Sequence, residues 1–177
     1  YPFERRAIRG ERIVIAGCGA AGLIAAQLAR SHGANEVIAM DPVASRRKLA
    51  GELGASATLE PEALARDENL VDRGIAIDCT GSSASVQALL DGLPECLAVF
   101  GVLKEPVSFG FKHWAHGVQL LGYGAHNMDA ARRALESIPS GDLRLDVLVS
   151  DTIPLRDYAK GIARLRDRSG IKICFRP

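Results

Sequence analysis

Arg12-Ile13-Val14-Ile15-Ala16-Gly17-Cys18-Gly19-Ala20-Ala21-Gly22-Leu23 decides the fold. The first five residues are a short β-branched run entered from a Gly10-Glu11 turn. After the glycines, helix formers continue through Ala25, Ala26, Leu28 and Ala29 to Ser31, with Gly33 in the C-cap region. Between strand and helix lies G-x-G-x-x-G. In that setting Gly17 permits the tight turn, Gly19 lets backbone N–H groups approach a pyrophosphate, and Gly22 lets helix and strand pack closely. The first helical turn, with Ala20 and Ala21, adds unsatisfied donors and a partial positive charge for the anion. A bare glycine-rich turn is a weak signal; one framed by a strand and a helix points to a dinucleotide.

Nineteen residues beyond Gly22, Asp41 ends the second apolar run, Glu36-Val37-Ile38-Ala39-Met40. A carboxylate there accepts hydrogen bonds from the adenosine ribose hydroxyls and repels a 2′-phosphate, which favours NAD over NADP. Arg46 and Arg47 pull the other way, because an arginine pair can neutralise a 2′-phosphate. The alternative to a ribose contact is an Asp that merely begins a turn with Pro42, and the alternative for the arginines is a solvated helix face.

Outward from this core the alternation continues. A helix is expected over residues 45–53, a brief strand over 57–59, and a short helix started by Pro61, which fits a first helical position. Strand 75–79, helix 83–90, strand 97–100 and strand 118–121 follow. Short, wholly apolar strands separated by helices predict a parallel sheet covered on both faces, and right-handed crossovers make it a Rossmann-type, doubly wound α/β sheet. Residues 1–127 are expected to form this core. Residues 128–177 read as an extension (helix 128–137, strand 147–149, helix 155–166, strand 171–174) that completes the sheet, packs on the core or belongs with another domain.

A balance of 22 Lys and Arg against 21 Asp and Glu argues against nucleic acid or an anionic membrane as partner. No apolar run reaches the length of a membrane span. Cys18, Cys79, Cys96 and Cys174 include no CxxC pair, so a structural zinc knuckle is not expected, and free thiols suit a reducing cytoplasm.

The chain resembles the cofactor-binding half of the zinc-containing, medium-chain alcohol and polyol dehydrogenases, near their sorbitol and threonine dehydrogenase branch. The resemblance rests on residues 15–23, on Val37 to Pro42, on Glu52-Leu53-Gly54-Ala55 and on Ile77-Asp78-Cys79-Thr80-Gly81-Ser82. Phe100-Gly101-Val102 and Gly170-Ile171-Lys172-Ile173 extend it to nearly the full length. It implies that Thr80 and Gly81 lie near the cofactor's middle, and that Gly101 and Val102 offer backbone groups to the nicotinamide carboxamide. It also implies an edge strand over 119–124 that pairs with its counterpart in a homodimer, and a position for His126 on the substrate side. Leu93-Pro94-Glu95-Cys96 departs from the family in lacking a glycine pair before the fifth strand. The family's zinc ligands lie in an amino-terminal domain that these 177 residues do not contain, and the first residue is Tyr1 rather than Met. The chain is therefore expected to be a fragment, a processed chain or the ordered part of something longer, to bind NAD(H), and to need the zinc-ligand domain for catalysis.

Other clusters have plainer readings. His113-Trp114-Ala115-His116 would put two histidines on one helix face, but no further ligand is placed to make a metal site, so a surface or interface role is expected. Ser82, Ser83 and Ser85 lack a triad or nucleophile elbow, and capping by Ser82 or Ser83 is the better account. No catalytic or metal-ligating residue is assigned. Two further functions fit the same residues: a non-catalytic NAD-binding sensor or assembly module, and an NADP-dependent reductase domain.

Overall fold

The computed structural model describes residues 7–67, 69–122 and 128–177. His126 and the last two positions of the expected 119–124 edge strand lie outside the described residues.

Six parallel strands make the central sheet in the order β3-β2-β1-β4-β5-β6. They are β1 (Arg12–Ala16), β2 (Glu36–Met40), β3 (Ala57–Leu59), β4 (Ile75–Asp78), β5 (Cys96–Val99) and β6 (Gln119–Gly122). Helices α1 (Ala20–Ser31), α2 (Ala44–Glu52), α3 (Ala63–Arg66), α4 (Ser83–Asp91) and α5 (Phe111–Ala115) connect them. The strand order reverses between β1 and β4, which puts a crevice at their carboxyl ends.

The alternation of side chains along β1 shows why both faces are covered. Ile13 and Ile15 pack with Ala26 and Ala29 of α1 on one face. Val14 and Ala16 pack with Val86, Leu89 and Leu90 of α4 on the other. A strand buried on both sides has no polar alternation to lose, so its sequence is apolar throughout. Small residues on the sheet-facing side of α1 let that helix lie close to β1, which fixes where its N-terminus points.

Residues 128–177 contribute α6 (Met128–Ser137), β7 (Val149–Pro154), α7 (Tyr158–Arg166) and β8 (Lys172–Arg176). β7 and β8 form their own two-stranded parallel sheet and do not extend the central one. The strand expected at 147–149 starts only at Val149, because a 3-10 turn over Asp146–Leu148 turns Leu148 into an apolar cluster with Leu23, Ala50 and Leu53. The helix expected from 155 begins with a 3-10 turn at Leu155–Asp157. The final strand is displaced toward the C-terminus. Ile171 N–H donates to the Ser150 hydroxyl at 2.7 Å, at the point where the β7–β8 register shifts. Gln27 of α1 ties the segment down: its Nε2 donates to the Arg144 carbonyl, and its Oε1 accepts from Arg144 N–H at 2.7 Å.

Candidate functional site

The glycine turn leaves β1 at Gly17, whose φ of 93° lies in the left-handed region that side chains disfavour. Space excludes a side chain as well, since a Cβ would come 2.9 Å from Thr80 Cγ2. Gly17 N–H donates to the Met40 carbonyl at 2.7 Å, which closes the turn against β2. At Gly22 a Cβ would overlap the Gly17 carbonyl oxygen, so glycine is what lets α1 approach the strand. Gly19 differs from both. A Cβ there would meet nothing within 4 Å, and as the N-cap it leaves the first turn of α1, with Ala20 and Ala21, without a side-chain cap. That terminus offers N–H donors and dipole to an anion.

Asp41 is 4% exposed and does more than its sequence position suggested. Its Oδ2 accepts from Cys18 N–H and its Oδ1 from Val43 N–H, each at 2.8 Å. One carboxylate thus pins the glycine turn to the start of α2, and each oxygen keeps acceptor capacity for a ligand. Arg47 is committed to structure: its Nη1 donates to the carbonyls of Asp41 and Pro42, and its Nη2 pairs with Glu60 Oε1 at 3.0 Å. Arg46 donates from Nη2 to the Gly170 carbonyl at 2.8 Å, while its Nε is buried with no partner.

At the end of β4, Asp78 is fully buried and organises the next loop. Its Oδ1 accepts from the Thr80 hydroxyl at 2.6 Å, from Thr80 N–H at 3.3 Å and from the Ser85 hydroxyl at 3.4 Å. Its Oδ2 accepts from Gly81 N–H at 3.0 Å. Asp78 had no role assigned from sequence. The signal was present in Asp78-Cys79-Thr80-Gly81-Ser82, an acid followed by small polar residues whose donors can turn back on it. Gly101 N–H donates to the Asp78 carbonyl, and a Cβ on Gly101 would overlap Gly81 N. The structure therefore brings the Thr80-Gly81 and Gly101-Val102 pairs together. Ser82 caps α4, its hydroxyl accepting from Ser85 N–H.

A cleft of about 580 Å³ is lined by Gly17, Gly19, Asp41, Arg46, Thr80 and Ser82, with Pro61, Leu64 and Ala88 as apolar wall; Gly81, Gly101 and Val102 lie outside its lining. Arg168, from the other end of the chain, also lines it. A separate hollow of about 620 Å³, beside Asn69, Asp72 and His116, holds none of the glycine turn.

Burial, reinforced by the Asp41 charge, pushes the Cys18 thiol up to about 12. Burial and then Asp78 do the same for Cys79, also to about 12. At pH 8 a thiol titrating near 12 is ionised to only about one part in ten thousand, and the thiolate is the reactive form. Disulfide-exchange reagent at pH 8 should therefore modify exposed Cys174 quickly, and Cys18 and Cys79 only after denaturation. Rapid loss of three or more thiols from the folded protein would contradict this.

His113 is 2% exposed, not at the surface as its spacing with His116 suggested. Its Nδ1 accepts from Gly110 N–H at 2.9 Å, so its Nε2 carries the proton and donates to Asp91 Oδ1 at 3.1 Å. Burial raises the Asp91 carboxyl, but hydrogen bonds from Lys112, Gln87 and His113 outweigh it and hold the group below its ordinary value. α5 ends at Ala115, so His116 is its exposed C-cap and does not share a helix face with His113. Among the described residues no three His, Cys, Asp or Glu come together to hold a metal, and no helix is long and apolar enough to cross a membrane.

Residues 20–138 match the family described as zinc-binding dehydrogenase. An uncharacterized zinc-type alcohol dehydrogenase-like protein of Escherichia coli is 25% identical over 183 residues, covering 96% of this chain and 51% of its own length. Sorbitol dehydrogenase of Bombyx mori is 27% identical, with 93% of this chain and 50% of its own covered. A Sinorhizobium meliloti protein assigned to the zinc-binding dehydrogenases, solved bound to NADP, superposes with a TM-score of 0.86 at 29% identity. That superposition covers 98% of this chain and 55% of the other. The chain spans about half the length of the curated relatives it matches. It belongs to the zinc-binding dehydrogenase family and corresponds to the C-terminal, cofactor-binding part of the zinc-type medium-chain enzymes.

Proposed function

We propose that this chain is the NAD(H)-binding domain of a cytoplasmic oxidoreductase that transfers hydride between a secondary alcohol or polyol and NAD. The observation that carries this reading is one cleft in which the uncapped N-terminus of α1, open at Gly19, faces the buried carboxylate of Asp41. The residues fit a dinucleotide. The turn from Gly17 to Gly22 would hold the pyrophosphate through N–H groups of Ala20 and Ala21, and Asp41 would accept from the ribose hydroxyls. Arg46 borders the same ribose, and Thr80 and Gly81 the cofactor's middle. Gly101 and Val102 would face the nicotinamide carboxamide; Gly101 N–H is already used, so its carbonyl and the Val102 backbone are the groups left to offer. When bound, NAD supplies the hydride acceptor; the chain's own residues bind and orient it.

The described residues do not form a zinc site, and the reading puts the catalytic zinc on ligands from the other half of a parent protein about twice this length. This chain alone would then bind cofactor without turning over alcohol. His126 remains a candidate for the substrate side. In this reading residues 1–127 are the dinucleotide-binding core, and residues 128–177 an extension packed on it through Gln27 and Leu148.

Thermal unfolding with NADH and NADPH titrated separately tests the cofactor. Loading to 100 times Kd stabilises a site by about 2.7 kcal/mol, a visible rise in midpoint. Gly19→Val should keep the unliganded midpoint, since its side chain enters open space, and lose the response to NADH. No response from wild type, or an unchanged response in the variant, would overturn the assignment.

The same reading includes a homodimer through β6. That strand is bonded to β5 on one side and carries an exposed Leu120, and Phe111 and Trp114 of the preceding helix are exposed too. An apolar sheet edge invites pairing. Sedimentation should give a dimer for wild type and a monomer for Leu120→Lys; a wild-type monomer would sink the pairing.

A further inference from the structure

Arg168 reaches the cleft from the far end of the chain, and it does so from a strained backbone. Helix α7 ends at Arg166 with Asp167 as its C-cap. The chain then turns back, with Arg168 N–H donating to the Leu165 carbonyl and Gly170 N–H to the Arg164 carbonyl at 2.9 Å. Arg168 has φ 64°, in the left-handed position that helix ends ordinarily fill with glycine. Arg73 and Leu93 share that backbone region, but neither lines this cleft. A non-glycine residue held there is a pointer to function when its side chain has somewhere to act. Among the described residues Arg168 makes no ion pair, and its side chain is exposed on the cleft wall.

Its neighbour in the cleft is Arg46. The hydrogen bond from Arg46 Nη2 to the Gly170 carbonyl fixes the Arg168 turn beside the start of α2, five residues from Asp41. Arg46 Nε is buried and without an acceptor. Arg47, the other member of the pair the sequence offers, is consumed by Asp41, Pro42 and Glu60. The Asp41 end of the cleft thus carries one carboxylate, already accepting two backbone N–H groups, against two guanidiniums with donor capacity to spare.

We propose that Arg46 and Arg168 form a phosphate-recognising pair at the adenosine ribose, so that the site takes the 2′-phosphorylated dinucleotide as well as NAD, with Arg168 as the specificity-determining residue. A guanidinium matches the oxygens of a phosphate with paired, charge-assisted N–H donors, which a ribose hydroxyl cannot exploit equally. The inference rests on the dinucleotide reading of the cleft.

Calorimetric titration of the whole chain with 5′-AMP and with adenosine 2′,5′-bisphosphate separates the two. Wild type should bind the bisphosphate at least as tightly as AMP. Arg168→Gly should weaken the bisphosphate by about tenfold or more and leave AMP within about twofold, as expected for one charged contact. Its unliganded melting temperature should hold or rise, because glycine relieves the left-handed backbone. Arg168→Asn, which also tolerates that region, should give the same selective loss. Equal effects on both nucleotides, or an unchanged bisphosphate affinity in a protein that still binds NADH, would overturn this inference alone. Wild type that binds neither nucleotide nor NADH overturns the dinucleotide reading and this inference with it.

Discussion

Gly22→Ala should destabilise the protein by about 3 kcal/mol or more, at the upper end of what overpacking a tight contact costs. The added methyl would overlap the Gly17 carbonyl oxygen, a backbone atom in a turn already closed onto Met40. Neither side can yield by a rotamer change, so α1 must back away from β1. Leu23, Ala26 and Ala29, all fully buried, then lose contact with the sheet. For a domain of this size the melting temperature should fall by roughly 6–12 °C. A variant melting within a degree or two of wild type would mean that α1 is not held where the structure puts it. Gly19 makes the comparison sharp, because a side chain there should spare the fold and cost binding. Two glycines three residues apart in one motif thus separate stability from ligand approach.

Asp78→Ala is the second large expectation. The substitution strands the N–H of Gly81 and the N–H and hydroxyl of Thr80 beneath the cleft, and removes the partner of the Ser85 hydroxyl. Hydrogen bonds to a charged acceptor are each worth about 1.5–3 kcal/mol, and a buried donor left unmade carries its own desolvation cost. A net loss of about 3 kcal/mol is expected, allowing for relaxation and for Thr80 reaching solvent. The Thr80-Gly81 loop would also lose its fixed position against Gly101, so NADH affinity should fall further than the stability change explains. Asp78→Asn keeps one acceptor oxygen but points an amide donor at the remaining N–H, and should fall between wild type and Ala. Wild-type melting and NADH affinity in Asp78→Ala would remove Asp78 from any organising role.

Much of the candidate site is legible in the sequence because its signals are local. The glycine turn lies within six residues and its strand and helix are contiguous with it; α1 spans the residues its helix formers indicated. The place of Asp41 at the end of β2 is legible from its distance from the turn, since one βαβ step fixes where a second strand ends. His113 is not legible from its spacing with His116 because a decisive partner is not local: its Nε2 donates to Asp91, 22 residues earlier. The strand expected at 147–149 came late for a similar reason, as the burial of Leu148 against α1 and α2 outweighed β-propensity at its neighbours.

By itself, then, the sequence determined the doubly wound sheet, the glycine turn that opens α1 and the acid at the end of β2. Each follows from chain-neighbour patterning, where apolar period, glycine spacing and strand length act within one supersecondary unit. Only the tertiary structure decided that Arg47 serves the scaffold while Arg46 keeps a free donor, and that Asp78 underpins the Thr80 loop. It alone brought Arg168, 127 residues after Asp41, to the same cleft. Hydrogen bonds and charge in a buried site depend on which groups meet through space, and no periodicity along the chain encodes those meetings.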